Sequence, residues 1–113
     1  MEARLLSLLA QVGIAYLVER WGGDAAGVVV AGHKGWDHVV QWEDVLSLGE
    51  QQRMMMARMF YHRPVFAVLD ECTSAVSVDA EEALYRSAAG LGVTCLTVSQ
   101  AMTQPEFHAQ ELR

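Results

Sequence analysis

The stretch Phe66-Ala67-Val68-Leu69-Asp70-Glu71 constrains this chain more than any other. Four apolar residues followed at once by two acids, just after Pro64, read as a short, fully buried strand. Such a strand delivers its terminal carboxylates to the edge where open α/β sheets bind ligands. Val93 to Val98 is a second buried run of the same kind. Between them, Asp79 with Glu82 three residues later opens a helix. Its buried face carries Ala80, Leu84, Ala88 and Leu91, and Gly90 or Gly92 ends it. Strand, helix, strand predicts a right-handed parallel βαβ unit and hence an α/β fold. Two strands make an incomplete sheet, so the pattern reads as part of a larger fold.

Composition narrows the function classes. A chain of 113 residues has room for one modest core. With 52% hydrophobic and 19% charged residues it is not a disordered tail. A net charge of -6, with Lys34 the only lysine, argues against a nucleic-acid partner. No apolar run approaches the roughly 20 residues of a spanning helix. Cys72 and Cys95 lack CxxC spacing and read as reduced, buried small hydrophobes. Glu2 and Gln11 break any signal-peptide pattern, and Leu5, Leu8, Leu9, Val12 and Leu17 instead mark one amphipathic helix over about 2–19.

Farther along, 22–37 is glycine-rich and reads as a loop with at most one short strand at Val28-Val29-Val30, and Trp36 to Leu46 is irregular but apolar. Ser47 N-caps a helix and Glu50 completes a capping box. Met55, Met56, Met59 and Phe60 share one face of that helix, and Pro64 stops it. His33, His38, His62 and His108 lack metal-ligand spacing and read as surface or capping residues.

Two stretches carry chemistry. Ser47, Leu48 and Gly49 at a helix start offer a hydroxyl, unpaired backbone N–H groups and a positive dipole end, which suit a phosphate; any capped helix has the same parts. Asp70 and Glu71 can divide the work of holding Mg²⁺ through water and of orienting or deprotonating a water, or they can simply be solvated edge residues. Ser74-Ala75-Val76-Ser77 forms a small-residue turn before the next helix.

Together these stretches resemble the second half of the nucleotide-binding domain of ABC transporters. Leu46 to Glu50 is similar to the family's LSGGQ/E signature, Phe66 to Glu71 to Walker B with its glutamate, and Ser74 to Ser77 to the D-loop. Met56-Ala57-Arg58-Met59-Phe60-Tyr61-His62-Arg63-Pro64 and Asp70 to Ser77 resemble subfamily D, the half-transporters for peroxisomal fatty acyl-CoA with a lysosomal cobalamin branch. Trp36-Asp37, Trp42 and Phe107-His108 fit the same pattern. The resemblance implies that 1–113 is the C-terminal portion of such a domain, a partial P-loop NTPase fold with an incomplete parallel sheet flanked by helices.

It further implies ATP and Mg²⁺ as cofactors of the parent family. Ser47, Gly49 and Glu50 would contact a partner's nucleotide in trans, with Glu71 and Gln100 as catalytic residues and Asp70 holding Mg²⁺ through water. The implied partners are a second nucleotide-binding domain, identical or not, and a membrane domain. The implied location is the cytosolic face of an organelle membrane, the peroxisome first and the lysosome or endoplasmic reticulum as alternatives. Other readings are a non-catalytic piece that pairs with an intact subunit, or the C-terminal lobe of a DNA-repair or chromosome-maintenance ATPase; the absence of heptads counts against the latter.

The chain departs from the pattern at identifiable points. GxxxxGK[ST], whose amides and lysine cradle phosphates, is absent. Gly27 to Lys34 is a near miss with His33 at the lysine position, and it lies in the wrong order along the chain. Leu48 stands for the first signature glycine and would crowd a close backbone approach. Gln100 stands for the switch histidine and cannot carry its charge, and Ala101 stands for the usual arginine. Residues 24–35 read as an insertion. The expectation is that the isolated chain neither binds ATP tightly nor hydrolyses it.

Overall fold

The computed structural model describes residues 2–22, 41–100 and 108–110. Residues 23–37 of the glycine-rich segment, the near-miss motif, the proposed insertion, His33, His38, Trp36-Asp37, Ala101 and Phe107 lie outside them. In chain order the elements are α1 (Glu2–Gln11), α2 (Tyr16–Gly22), α3 (Trp42–Val45), α4 (Leu48–His62), β1 (Phe66–Asp70), α5 (Val78–Gly90) and β2 (Thr94–Val98).

The helix expected over 2–19 is two helices. Gly13 adopts φ +80°, its N–H donates to the Ala10 carbonyl at 3.0 Å, and the Ile14 N–H reaches back to the Leu9 carbonyl at 2.9 Å. This is a Schellman stop, closed by contact between buried Leu9 and Ile14. The apolar stripe continues across the break because both pieces face one core. Gly92, at φ +75°, ends α5 in the same way: the Val93 N–H donates to the Ala88 carbonyl at 3.1 Å.

Helix α1 packs on α4. Ile14 and Phe60 are fully buried and Met56 nearly so, and with Leu9, Val12 and Leu17 they form the centre of the core. Met55, expected on the buried face, is 53% exposed, because Gln52, Met56, Ala57 and Phe60 point inward instead. At the outer end of this contact, the Arg4 guanidinium lies over the Tyr61 ring and donates to the Tyr61 carbonyl at 2.9 Å.

The two strands are hydrogen-bonded in parallel, with Phe66 opposite Thr94 and Asp70 opposite Val98. The fold is thus α/β, a small parallel sheet flanked by helices. Neither strand is fully buried, which corrects the expectation. Ala67 and Leu69 face the core, whereas Phe66 and Val68 are 74% and 70% exposed and Leu96 and Val98 are also open. One sheet face has its helical cover, and among the described residues nothing covers the other. Cys72 and Cys95 are free and half-buried, and burial pushes both thiols up from their ordinary pKa.

Helix α5 begins earlier than expected. Ser77, not Asp79, is the N-cap, and its hydroxyl accepts the Ala80 N–H at 3.3 Å. Its buried face is Glu81, Leu84, Tyr85 and Ala88, with Leu91 packed half-buried against the core as expected and Ala80 half-buried, so the face gains two unexpected side chains with polar groups, Glu81 and Tyr85. Each has a hydrogen-bond partner: buried Thr73 donates to Glu81, and the Tyr85 hydroxyl bonds Thr97 Oγ1 at 3.2 Å. Thr97 Oγ1 in turn lies 2.7 Å from Nε2 of His108, whose ring meets Tyr85 edge-on. His108, expected at the surface or as a cap, is half-buried and ties the following segment to β2.

Candidate functional site

The start of α4 is built locally. Ser47 is extended (φ -63°, ψ 161°), its Oγ accepts the Glu50 N–H at 3.2 Å, and Glu50 Oε1 accepts the Ser47 N–H at 3.0 Å. Both halves of the expected capping box are therefore present. The other carboxylate oxygen of Glu50 accepts the Tyr16 hydroxyl and lies 3.6 Å from Arg20 Nη1, so α2 grips the helix start from outside. The Tyr16 hydrogen bond, reinforced by the Ser47 amide, holds the Glu50 carboxyl below its ordinary pKa. The same bond, with some burial, raises the Tyr16 phenol. Leu46 is buried beneath the loop, and Leu48 projects outward at 58% exposure on the first turn.

Asp70 is the last residue of β1, on the uncovered face. Glu71 then turns the chain with φ +52°, a left-handed backbone that costs a non-glycine residue energy and persists only where neighbours enforce it. Its N–H donates to the Val98 carbonyl at 2.9 Å, and its Oε1 accepts the Gln100 N–H at 3.0 Å. Glu71 and Gln100, each singled out by the resemblance, are in contact, through the backbone of Gln100 and the side chain of Glu71.

The Ser74–Ser77 turn lies against the start of α4. A Cβ built on Gly49 would stand 2.9 Å from the Ala75 carbonyl oxygen, so the two backbones touch at a point only glycine permits. Gln52, nine-tenths buried, spans the same junction. Its Nε2 donates to the Glu71 carbonyl at 3.0 Å and to Ser74 Oγ at 2.8 Å, and its Oε1 accepts the Ala75 N–H at 2.8 Å. Sequence reasoning missed Gln52. The signal was available: residues 52, 56 and 60 recur at helical spacing, and Gln52 is the polar member of an otherwise apolar stripe.

Four of the expected site pieces thus converge on one junction: the Ser47–Glu50 helix start, Glu71, the Ser74–Ser77 turn and Gln100. With Asp70 beside Glu71 at the sheet edge, the donor set (a capped helix start and two neighbouring carboxylates) is of the kind that fits one part of an Mg²⁺–nucleotide site. They do not supply the rest, since the sequence holds no GxxxxGK[ST]. Among the described residues, no cluster of three or more His, Cys, Asp or Glu side chains could ligate a metal directly, and no helix is long and apolar enough to cross a membrane.

No family model matches the chain. It is 50% identical over its whole length to ABC transporter D family member 1 of Arabidopsis thaliana, of which it spans 8%. It is 46% identical over 104 residues, 92% of the chain, to ATP-binding cassette sub-family D member 3 of Homo sapiens, spanning 14% of that protein. It is 40% identical over 112 residues to a lysosomal cobalamin transporter of Mus musculus, with 99% of the chain and 17% of that protein aligned. The chain therefore corresponds to less than a fifth of each of these relatives.

Proposed function

We propose that this chain, homologous to a stretch of the nucleotide-binding domain of subfamily D ABC transporters, supplies that stretch to the ATP-hydrolysing domain of a half-transporter. The transport is of the fatty acyl-CoA or cobalamin type across an organelle membrane, with the peroxisome the leading location and the lysosome the second. One observation carries the reading: Gly49 touches Ala75, so the signature-like helix start and the Ser74–Ser77 turn share one surface. That arrangement suits a second nucleotide-binding domain, identical or not, packed head to tail, and a membrane domain beside the pair.

In such a pair the Ser47 hydroxyl and the amides at the start of α4 meet a phosphate held by the partner, where unpaired N–H groups and the helix dipole favour an anion. Glu50 holds that helix start in shape, one oxygen accepting the Ser47 N–H and the other the Tyr16 hydroxyl. Asp70 is the residue to hold Mg²⁺ through water. Glu71 is the residue to hold a water, with Gln100 fixing its orientation from the backbone. ATP with Mg²⁺ would supply the phosphoryl group. Because the chain's own sequence offers no phosphate cradle, we infer that alone it neither binds ATP tightly nor hydrolyses it.

Sequencing the transcript upstream of the Met1 codon tests the reading. An open frame encoding GxxxxGK[ST] and spanning helices is expected, and an in-frame stop before any such motif would sink it. For the isolated chain, micromolar binding of a fluorescent ATP analogue that is lost in Glu71→Gln or Asp70→Ala would contradict the inference of inactivity.

A further inference from the structure

The three hydrogen bonds of Gln52 join pieces that the functional reading treats separately: the helix that begins at the signature, the turn that carries Glu71, and the Ser74–Ser77 loop. The chemistry of the junction leaves little choice of side chain. The Ala75 N–H can only donate, so it requires an acceptor, and the Glu71 carbonyl can only accept, so it requires a donor. Within the turn Ser74 Oγ also donates to the Glu71 carbonyl at 3.3 Å. What Gln52 adds is one buried side chain that reaches from α4 across two methylenes and presents an acceptor to Ala75 and a donor to Glu71 on the two atoms of one amide. Glutamine does so, with its amide orientation fixed by its partners; glutamate lacks the donor, lysine and arginine lack the acceptor, and asparagine is one methylene short. The turn it holds is the one in which Glu71 is bent into the left-handed region at φ +52°, so its geometry needs an outside constraint.

We propose that Gln52 is the positioning residue of this site: it clamps the Glu71 turn and the Ser74–Ser77 loop onto the signature helix, so that a displacement of that helix start is passed to the Glu71 carboxylate. Gln52 acts through Glu71 and Ala75 and itself touches no ligand. The functional consequence rests on the reading given above, but the clamp itself is tested without nucleotide.

The test is residue-resolved amide hydrogen exchange on the full chain. Gln52→Met keeps the size and removes all three bonds. Exchange at Ala75 and Gln100 should become at least tenfold faster, with Leu84 in α5 and Ala67 in β1 unchanged within twofold. Gln52→Glu keeps an acceptor for Ala75 and loses the donor to Glu71. It should restore Ala75 to within threefold of wild type while Gln100 stays fast, a split that a merely space-filling residue would not produce. If Gln52→Met also accelerates Leu84, Gln52→Glu decides, since it keeps the size and the acceptor for Ala75 and loses only the donor. Wild-type exchange at Ala75 and Gln100 in Gln52→Met, or wild-type exchange at Gln100 in Gln52→Glu where that variant decides, overturns the clamp. Failure of the upstream frame to encode GxxxxGK[ST] overturns only the functional reading and leaves these exchange results standing.

Discussion

Replacing Gly49 with alanine adds one methyl group where the first turn of α4 meets the main chain of Ala75. The new Cβ would lie 2.9 Å from the Ala75 carbonyl oxygen, nearer than real Cβ atoms come, and its neighbour is main chain rather than a side chain able to swing aside. Relief requires the 71–75 turn to retreat by several tenths of an ångström against the hydrogen bonds of Gln52. Overpacking of this kind costs about 1–3 kcal/mol. Against it stands the gain from placing alanine instead of glycine in a helix, about 0.5–1 kcal/mol. The net expectation for Gly49→Ala is a loss of about 1–2 kcal/mol, or a fall in Tm of about 5–10 °C for a domain of this size. Gly90→Ala is the internal control. It too is helical, but nothing lies within 4 Å of its built Cβ, so only the propensity gain remains and Tm should rise by about 2–5 °C. Thermal melts of the three proteins by far-ultraviolet circular dichroism read both shifts. A Gly49→Ala variant that melts at or above wild type would refute the contact argument.

One site in the core and one on the uncovered sheet face test where burial lies. Phe60→Ala should cost about 3–5 kcal/mol, whereas Val68→Thr, at 70% exposure, should stay within about 0.5 kcal/mol of wild type; urea titrations separate these, and a large loss at Val68 would mean that its face is covered. The Glu50–Tyr16 pair predicts a pH dependence. Because the folded Glu50 pKa lies below its ordinary 4.5, its stabilisation is fully present above that pH and is lost as pH falls through the lower folded value. Tyr16 is raised above 10.0, so its share is present below that pH and is lost as pH climbs through the higher folded value. The stability gap between wild type and Tyr16→Phe should therefore be widest near neutrality and narrow toward both extremes; a constant gap from pH 2 to 7 would contradict it.

What the sequence disclosed depended on how local the causes were. The capping box at Ser47 and Glu50 is set by residues three apart, so it was legible, as was the stop at Pro64. The break at Gly13 was not, because the apolar stripe of Leu5, Leu8, Leu9 and Leu17 runs through it, and only the left-handed backbone of Gly13 reveals two helices. Strand burial was misjudged because an apolar run reports affinity for cover, not whether cover exists. Glu81 and Gln52 are buried for partners eight and more residues away, Thr73, Glu71, Ser74 and Ala75, which no periodicity encodes. Family resemblance singled out Glu71 and Gln100 individually, but their contact, between residues 29 apart in the chain, is a finding of the structure.

The uncovered sheet face has a calorimetric consequence. Phe66, Val68, Leu96 and Val98 already meet water in the folded state, so unfolding of the described residues adds less apolar surface than is usual for their number. Heat-capacity change follows that increment, with a common value of about 12–15 cal/mol/K per residue, and here it should fall short. The unfolding enthalpy then varies little with temperature, and the stability curve is a shallow dome whose flanks reach far to either side of its maximum.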